Sequence, residues 1–234
     1  MILYVNGDSH TAAAEAVTPH AFAMDDGKLF YMGRAPHPEN IAVSWGKLLS
    51  LSLRSSFHCD AESASSNTRI LRTTRKWIAD QQRYLQDALI IIQWSTWERE
   101  EWLIDDVYYQ INASGIDDIP ESHRQQYKEY VVNIDWAEKT HQAHDEIWKF
   151  HEELTAQGIK HIFFNGNNDF SKIKTKKNWH KCYIDPYDPE MTFNAIIQKQ
   201  NIQTVAPNSW HFGREGHSFF HRFVLQYIID NKFM

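Results

Sequence analysis

The chain has 234 residues, of which 42% are hydrophobic and 14% aromatic, a size and composition that fit one globular domain. Its formal net charge of −6 does not supply the positive face that nucleic acids and anionic membranes require, so we expect neither as a partner. The sequence shows no secretory signal pattern and no apolar run of the ~18 residues that a transmembrane helix needs.

The first half of the chain alternates between strand-like and helix-like segments that are separated by turn-forming residues. We predict strands at 2–6, 56–60 and 88–94, helices at 11–17, 41–52 and 68–86, and loops at 18–40 and 61–67. The strand at 88–94 has the clearest pattern, because a continuous apolar run is typical of a parallel strand that is covered on both faces.

The second half is richer in helix. We predict helices at 98–109, about 121–157, 191–200 and 213–230, and one strand at 160–165 that ends in a turn. Residues from about 98 to 157 exceed what a simple crossover needs, so we predict a helical insertion there. It could form a lid, a dimer surface or further packing, and the oligomeric state stays open.

The alternation of strands and helices predicts a mostly parallel sheet with helices on both faces, within a single α/β domain that spans 1–234. Ligands bind such sheets outside the carboxyl ends of the strands. Three predicted strand ends carry small polar residues, at 7–9, 64–67 and 95–96, and these turns mark the expected cleft.

Ser9 follows the Gly7-Asp8 turn at the end of the first strand and at the start of a predicted helix. Backbone N–H groups at such a point favour a developing oxyanion, and a serine needs a neighbouring base to act as a nucleophile. His211 is a candidate base, because it lies in a loop just before the last helix. On this tripeptide alone, a helix N-cap at Ser9 or Asp8 is the more common explanation.

Two segments together resemble the SGNH hydrolase superfamily, the GDSL-like lipases and acylhydrolases. Gly7-Asp8-Ser9 is similar to the first block of that family, and Asn208-Ser209-Trp210-His211 is similar to its last block, Asp-x-x-His. The resemblance implies a flavodoxin-like three-layer α/β/α sandwich, no cofactor, Ser9 as nucleophile and His211 as general base. Asn208 stands where the family has the Asp that orients the histidine.

The second block of the family looks like the segment that runs from Ala64 through Asn67 to Ile70, with Ala64 at the position of a glycine. The third block, Gly-x-Asn-Asp, departs more, since Trp97 stands at the position of its Asn. The resemblance therefore implies an oxyanion hole made by the N–H groups of Ser9 and Ala64, and we expect Asn67 to replace the missing amide.

Five residues that flank these blocks are expected to contact the substrate: Asp8, His10, Ser95, Trp97 and Trp210. Stacked aromatic rings are a common platform for sugars, which favours a small acyl group on a carbohydrate as the ester. We expect no metal, because the two cysteines lack ligand spacing and the helical pair His141 and His144 lacks the Glu of a zinc-binding motif.

Two functions follow from these observations. One is a serine esterase that cleaves a small-molecule or glycan ester through an acyl-enzyme. The other is a non-catalytic SGNH-like binding or structural module, as in a phage particle, which the altered third and last blocks favour. We accordingly expect a cytoplasmic or virion-associated protein.

Overall fold

The computed structural model describes residues 1–23, 35–113 and 115–233, without the side chain of Asp118. Strands are β1 (Ile2–Asn6), β2 (Ser56–Cys59), β3 (Ala88–Trp94), β4 (Glu100–Ile104), β5 (Val107–Ile111) and β6 (Lys160–Asn165). Helices are α1 (Pro38–Ala42), α2 (Trp45–Ser52), α3 (Asn67–Asp80), α4 (Arg124–Val132), α5 (Trp136–Ala156), α6 (Phe193–Gln198) and α7 (Arg214–Asp230).

The described residues form a central parallel sheet with the strand order β2-β1-β3-β6. Asn6 at the end of β1 pairs with Ile92 in β3, and Ile92 pairs with Phe163 in β6. The carboxyl ends of the four strands therefore meet at one edge of the sheet. The predicted parallel sheet is confirmed, and every residue of β3 is buried as its apolar run indicates.

Helices cover both faces of this sheet and make a three-layer α/β/α sandwich, as predicted. On one face, α3 and α5 pack on the strands through residues such as Ile70 and Phe150. On the other face, α2, α6 and α7 pack through residues such as Trp45, Phe193 and Phe220. The two apolar layers fix the strands and so fix the turns that follow them.

The segment between β3 and β6 contains an antiparallel hairpin of β4 and β5 as well as helices α4 and α5. The helix predicted at 98–109 is therefore wrong. Asp105 and Asp106 have φ values of 48° and 63°, the left-handed pair that a two-residue hairpin turn of type I′ needs. Val107 and the two tyrosines that follow it favour strand over helix.

The Ala-rich segment 11–17 forms turns, and the helix predicted there is also wrong. Ala13 and Glu15 have φ values of 55° and 63°, which interrupt the helical hydrogen bonds after a single turn. Burial of Ala12, Ala13 and Ala14 in the interior outweighs the helix propensity of alanine. Ser9 consequently does not begin a helix, and no helix dipole acts on it.

The helices predicted at 68–86, 191–200 and 213–230 are present as α3, α6 and α7 with shifted ends. The single helices predicted at 41–52 and about 121–157 are each divided in two, into α1 and α2 and into α4 and α5. α3 ends at Asp80 and a 3₁₀ helix, Gln82–Asp87, continues to β3. Part of the loop predicted at 18–40 lies outside the described residues. Within the described ranges, no helix combines the length and the apolar character needed to cross a membrane.

Candidate functional site

A cleft of about 800 Å³ lies at the carboxyl edge of the sheet. Its walls include Ser9, His10, Ala64, Asn167, Trp210 and His211, which come from four separate segments of the chain. The cleft is therefore where the rule for open parallel sheets places a ligand, and it brings the predicted nucleophile and base to one surface.

The Gly7-Asp8-Ser9 turn leaves β1 in a crowded corner. A Cβ atom on Gly7 would lie 2.6 Å from Thr11 Oγ1 and 3.0 Å from Gln93 Cβ, so a larger residue does not fit without displacement. The hydroxyl of Thr11 donates to Gln93 Oε1 at 2.7 Å and closes this corner. Glycine is thus required by space, and the turn delivers Ser9 to the cleft.

The side chain of Asp8 fixes the Gly7-Asp8-Ser9 turn through hydrogen bonds. Its buried carboxylate accepts hydrogen bonds from Gln93 Nε2 at 2.7 Å, Ser95 Oγ at 2.9 Å, the His10 N–H at 3.0 Å and Arg99 Nη1 at 3.1 Å. Burial alone would raise the pKa of Asp8, but His10, Arg99 and the Gln93 amide together lower it. An ionised carboxylate therefore fixes the residues on either side of it.

This network corrects two expected substrate contacts. Asp8 and Ser95 are both buried, do not line the cleft and are bound to each other. Their hydrogen bonds are used inside the protein, so they position the Ser9 turn and do not face a ligand. Arg99 does line the cleft, and its buried Nε–H has no hydrogen-bond partner among the described residues.

Ser9 presents unused groups to the cleft. Neither its hydroxyl nor its backbone N–H is hydrogen-bonded to any described residue. The carbonyl of Ser9 accepts from the Ala14 N–H at 2.9 Å, which holds the peptide in place. The hydroxyl and the N–H thus remain available to a ligand.

His211 is paired with Glu15. The ring Nδ1–H donates to Glu15 Oε2 at 2.8 Å, and Ser209 Oγ donates to the same oxygen at 2.7 Å. Burial alone would raise the pKa of Glu15, but the hydrogen bonds from His211 and Ser209 lower it. With its proton on Nδ1, the ring keeps a lone pair on Nε2, the state that a general base needs.

Asn208 does not take the place expected for it. It lies exposed in the loop before His211 and makes no hydrogen bond with that ring. The left-handed backbone of Glu15 carries a carboxylate to the position instead. The carboxylate beside His211 is therefore that of Glu15, which lies in the segment 11–17 that the sequence predicts as a helix.

His10 lies between the nucleophile turn and His211, with the two rings edge to face at 5.6 Å between centroids. Burial lowers the pKa of His10 to about 4, with His211 and Arg99 acting in the same direction against Asp8. A hydrogen bond with the Asn167 side chain supports the ring from the end of β6. Its Nδ1 is buried without a partner among the described residues.

Ala64 adopts φ = 68°, the left-handed conformation that favours glycine. The resemblance to the SGNH superfamily implies a glycine at this position. The N–H of Ala64 is not hydrogen-bonded to any described residue, and the residue lines the cleft. Arg69 anchors this loop, since its guanidinium contacts Glu62 Oε2 at 2.6 Å and donates to the Asp60 carbonyl at 2.9 Å. Ala64 thus retains a backbone N–H that has no partner among the described residues at the edge of the cleft.

Two expected site residues lie elsewhere. Asn67 is engaged with the backbone of Ser95, accepting from its N–H at 2.8 Å and donating to its carbonyl at 3.3 Å. Trp97 stacks on Phe170 with centroids 4.9 Å apart. Neither lines the Ser9 cleft, so Asn67 is not the replacement oxyanion donor and Trp97 is not a substrate platform there.

Asn167, unlike Asn67, lines the cleft. It follows β6, and its Oδ1 accepts a hydrogen bond from Asn194 Nδ2. Its own Nδ2 makes no hydrogen bond with a described residue. Residues 166–169 read Gly-Asn-Asn-Asp, but the Asn of the Gly-x-Asn-Asp pattern falls on Asn168, which does not line this cleft, so the pattern does not single out Asn167.

The remaining walls are polar and aromatic. Trp210 is 73% exposed and borders the cleft. Asn112 and Gly115, which follow the β4–β5 hairpin, form part of another wall. The segment between β3 and β6 therefore shapes the site, a contribution that local sequence patterns do not reveal.

Comparisons with known proteins give a fold likeness and a family. Among solved structures, the chain is similar to a psychrotrophic esterase, EstA, from Pseudoalteromonas sp., in a form inhibited by monoethylphosphonate. The identity is 10%, the TM-score is 0.44, and the match covers 98% of this chain and 97% of the esterase.

A second solved structure is a candidate lipolytic protein of the G-D-S-L family from Desulfitobacterium hafniense DCB-2. Here the identity is 12%, the TM-score is 0.34, and the match covers 97% of this chain and 98% of the other. No curated protein matches the chain.

A family model matches residues 36–159, which is just over half of the chain and runs from α1 to the end of α5. The matched part includes Ala64, the hairpin and α5, whereas Ser9 and His211 lie outside it. The chain belongs to this family, which is described as a family of unknown function (DUF6071).

Proposed function

We propose that this protein is a serine ester hydrolase in which Ser9 is the nucleophile, His211 the general base and Glu15 the carboxylate that orients the base. One observation carries the proposal: Ser9 and His211 line the same cleft, and His211 Nδ1 is held by Glu15 Oε2 at 2.8 Å. Nucleophile, base and orienting acid are the three parts that acyl transfer through serine needs.

In the proposed reaction, Ser9 Oγ attacks the ester carbonyl while its proton moves to His211 Nε2. The imidazolium gives that proton to the alcohol as the carbon–oxygen bond breaks, which leaves an acyl group on Ser9. Water then attacks the acyl-enzyme with the same base. Glu15 keeps the Nδ1 proton in place throughout and stabilises the positive ring. Ser9 and His211 are not hydrogen-bonded without substrate, so their approach belongs to the bound state.

The proposed oxyanion hole has three donors. Two are the free backbone N–H groups of Ser9 and Ala64, and the third is Asn167 Nδ2. Donors of this kind are effective because they are already oriented when negative charge develops on the carbonyl oxygen. Asn167 thereby takes the part for which Asn67 was expected.

The cleft suits a small acyl group on a polar alcohol such as a carbohydrate. Trp210 offers an exposed ring on which a sugar can stack, and Arg99 places a cationic side chain at the wall. The walls mix amide and hydroxyl groups from Asn112, Asn194 and Thr192, which match sugar hydroxyls better than a lipid chain.

The decisive experiment uses a fluorophosphonate probe and p-nitrophenyl acetate on the full chain. We expect the probe to label the wild type once and to label Ser9→Ala not at all, with loss of turnover in the variant. Ser63→Ala is the matched control, because Ser63 also lines the cleft but has no role in the proposed reaction.

The rival function is a non-catalytic binding module built on the same fold. It is favoured by the absence of a hydrogen bond between Ser9 and His211. If neither labelling nor turnover exceeds that of Ser9→Ala in folded protein, the hydrolase proposal is wrong. Equal labelling of the wild type and Ser9→Ala, with loss in Ser63→Ala, would move the nucleophile and also overturn the assignment.

A further inference from the structure

A cluster of metal-binding side chains lies away from the cleft. His151 of α5, His161 of β6 and Cys182 offer ligand atoms that all lie within 4.8 Å of one another. Both histidines are buried, and Cys182 is half-buried with a free thiol. His161 is four residues before the end of β6, roughly 13 Å along the strand from the cleft edge.

Backbone pairing fixes the three residues relative to one another. The Phe163 N–H donates to the Cys182 carbonyl at 2.8 Å, and the Ile184 N–H donates to the Phe163 carbonyl at 2.9 Å. The Cys182 segment thus lies along the free edge of β6, while α5 packs over the same strand. The ligand set comes from three segments, and its members do not share a sequence motif.

The protonation of His161 is set by its neighbours. Its Nδ1 lies 2.8 Å from the Ile159 carbonyl, which can only accept, so Nδ1 carries the proton. Its Nε2 therefore has a free lone pair, and it accepts from His151 Nδ1 at 2.8 Å. A histidine that donates one N–H to a backbone carbonyl and directs its other nitrogen to the site has the arrangement typical of metal ligands.

We propose that His151 Nδ1, His161 Nε2 and Cys182 Sγ bind a zinc ion. Zinc takes the place of the proton that now lies between the two imidazoles. Imidazole and thiolate are ligands that zinc prefers. The protons balance as follows: the Nδ1 proton of His151 is exchanged through solvent for a proton on its Nε2, the thiol proton leaves to solvent, and His161 keeps its Nδ1 proton.

The distances are close to those of a tetrahedral site. Zn–N bonds of about 2.05 Å and a Zn–S bond of about 2.3 Å require about 3.3 Å between nitrogens and about 3.6 Å from nitrogen to sulfur. The imidazole nitrogens, 2.8 Å apart, therefore separate by about 0.5 Å, and the sulfur approaches by at most about 1.2 Å. Rotations of side chains supply such movements.

The surroundings support binding. The rings of Trp148 and Trp179 pack on His151 at 5.1 Å and 5.6 Å and shield this side from water. Such a site links α5 to the sheet edge and is structural, separate from ester hydrolysis.

The first test titrates Zn²⁺ and Co²⁺ into the full chain after removal of metal with a chelator. We expect one equivalent to bind, and cobalt to show a thiolate charge-transfer band in the near ultraviolet. Cys182→Ser should abolish the band, whereas the matched control Cys59→Ser should keep it, because Cys59 lies on β2 outside the cluster. No band in the wild type, or a band that persists in Cys182→Ser, would overturn the proposal.

The second test does not depend on how well Cys182→Ser folds. In the Cys59→Ser chain, Cys182 is the remaining thiol, and its alkylation by iodoacetamide is measured with Zn²⁺ or with Mg²⁺. We expect Zn²⁺ to slow alkylation by about tenfold or more, because the metal occupies the sulfur, and Mg²⁺ to have no effect. Equal rates with the two cations would refute a thiolate-bound zinc.

Discussion

The pairing of His211 with Glu15 gives the sharpest prediction about catalysis. Glu15→Gln keeps the length of the side chain and an oxygen that can accept from His211 Nδ1, and removes the negative charge. In the proposed reaction, that charge stabilises the imidazolium only in the transition state. The variant should therefore lower kcat/KM mainly through kcat.

The structure sets the magnitude. Two unit charges 2.8 Å apart interact by about 3 kcal/mol at an effective dielectric constant of about 40, a value between those of protein surface and water. The carboxylate of Glu15 is 37% exposed, which is why the lower dielectric constant of a buried pair does not apply. Since 1.36 kcal/mol is a factor of ten, kcat/KM should fall by about 150-fold. A fully buried triad acid is worth more, about 10⁴ in kcat.

The assay compares kcat/KM on p-nitrophenyl acetate and the rate of fluorophosphonate labelling for wild type, Glu15→Gln and Asn208→Ala. Asn208 is the matched control, because the family pattern assigns the orienting role to its position and the structure does not. We expect Asn208→Ala to stay within about twofold of the wild type. An unimpaired Glu15→Gln together with an impaired Asn208→Ala would refute the assignment, provided that both variants melt like the wild type.

Four further predictions test the site and the scaffold. Asp8→Ala should lower the free energy of unfolding in urea by about 1–3 kcal/mol, because it leaves the buried Gln93 amide and Ser95 hydroxyl without their acceptor; a loss below about 0.5 kcal/mol would contradict the network. Asn167→Ala should lower kcat by about 10²–10³ with little change in melting temperature, as expected for one oxyanion donor. Ala64→Gly should raise the free energy of unfolding by about 1 kcal/mol, since glycine adopts φ = 68° without strain, and an equal or lower value would argue against strain there. Burial lowers the pKa of His10 to about 4 and that of His217 to about 3. Below about pH 6.5 both histidines are therefore protonated in the unfolded chain and stay neutral in the folded protein. The free energy of unfolding should fall by about 2 kcal/mol for each histidine between pH 7 and pH 5. His217→Gln should reduce this total loss by about 2 kcal/mol.

Much of the fold follows from patterns that are local to each segment. The run at β3 is apolar over seven residues, and such a strand is stable only in the middle of a layered parallel sheet. The two wrong helices have a different origin. At 11–17 and 98–109, composition suggests helix, but backbone conformations with positive φ decide the outcome, and these depend on tertiary packing or on a turn.

The site divides in the same way. Ser9, His211 and Ala64 could be found from the sequence, because each lies in a short pattern whose order along the chain is informative. Glu15 and Asn167 could not be assigned, because nothing local links a glutamate near residue 15 to a histidine near residue 211. Only the three-dimensional arrangement of the strand ends brings them together.

Two of the strained residues stand where the chemistry needs them. Glu15 and Ala64 have positive φ values, and each presents to the cleft a group that the proposed reaction uses: a carboxylate and a free N–H. A left-handed non-glycine residue costs about 1–2 kcal/mol. The buried contacts of Asp8 and Arg69 offset that cost, since they clamp the two turns that carry the strained residues.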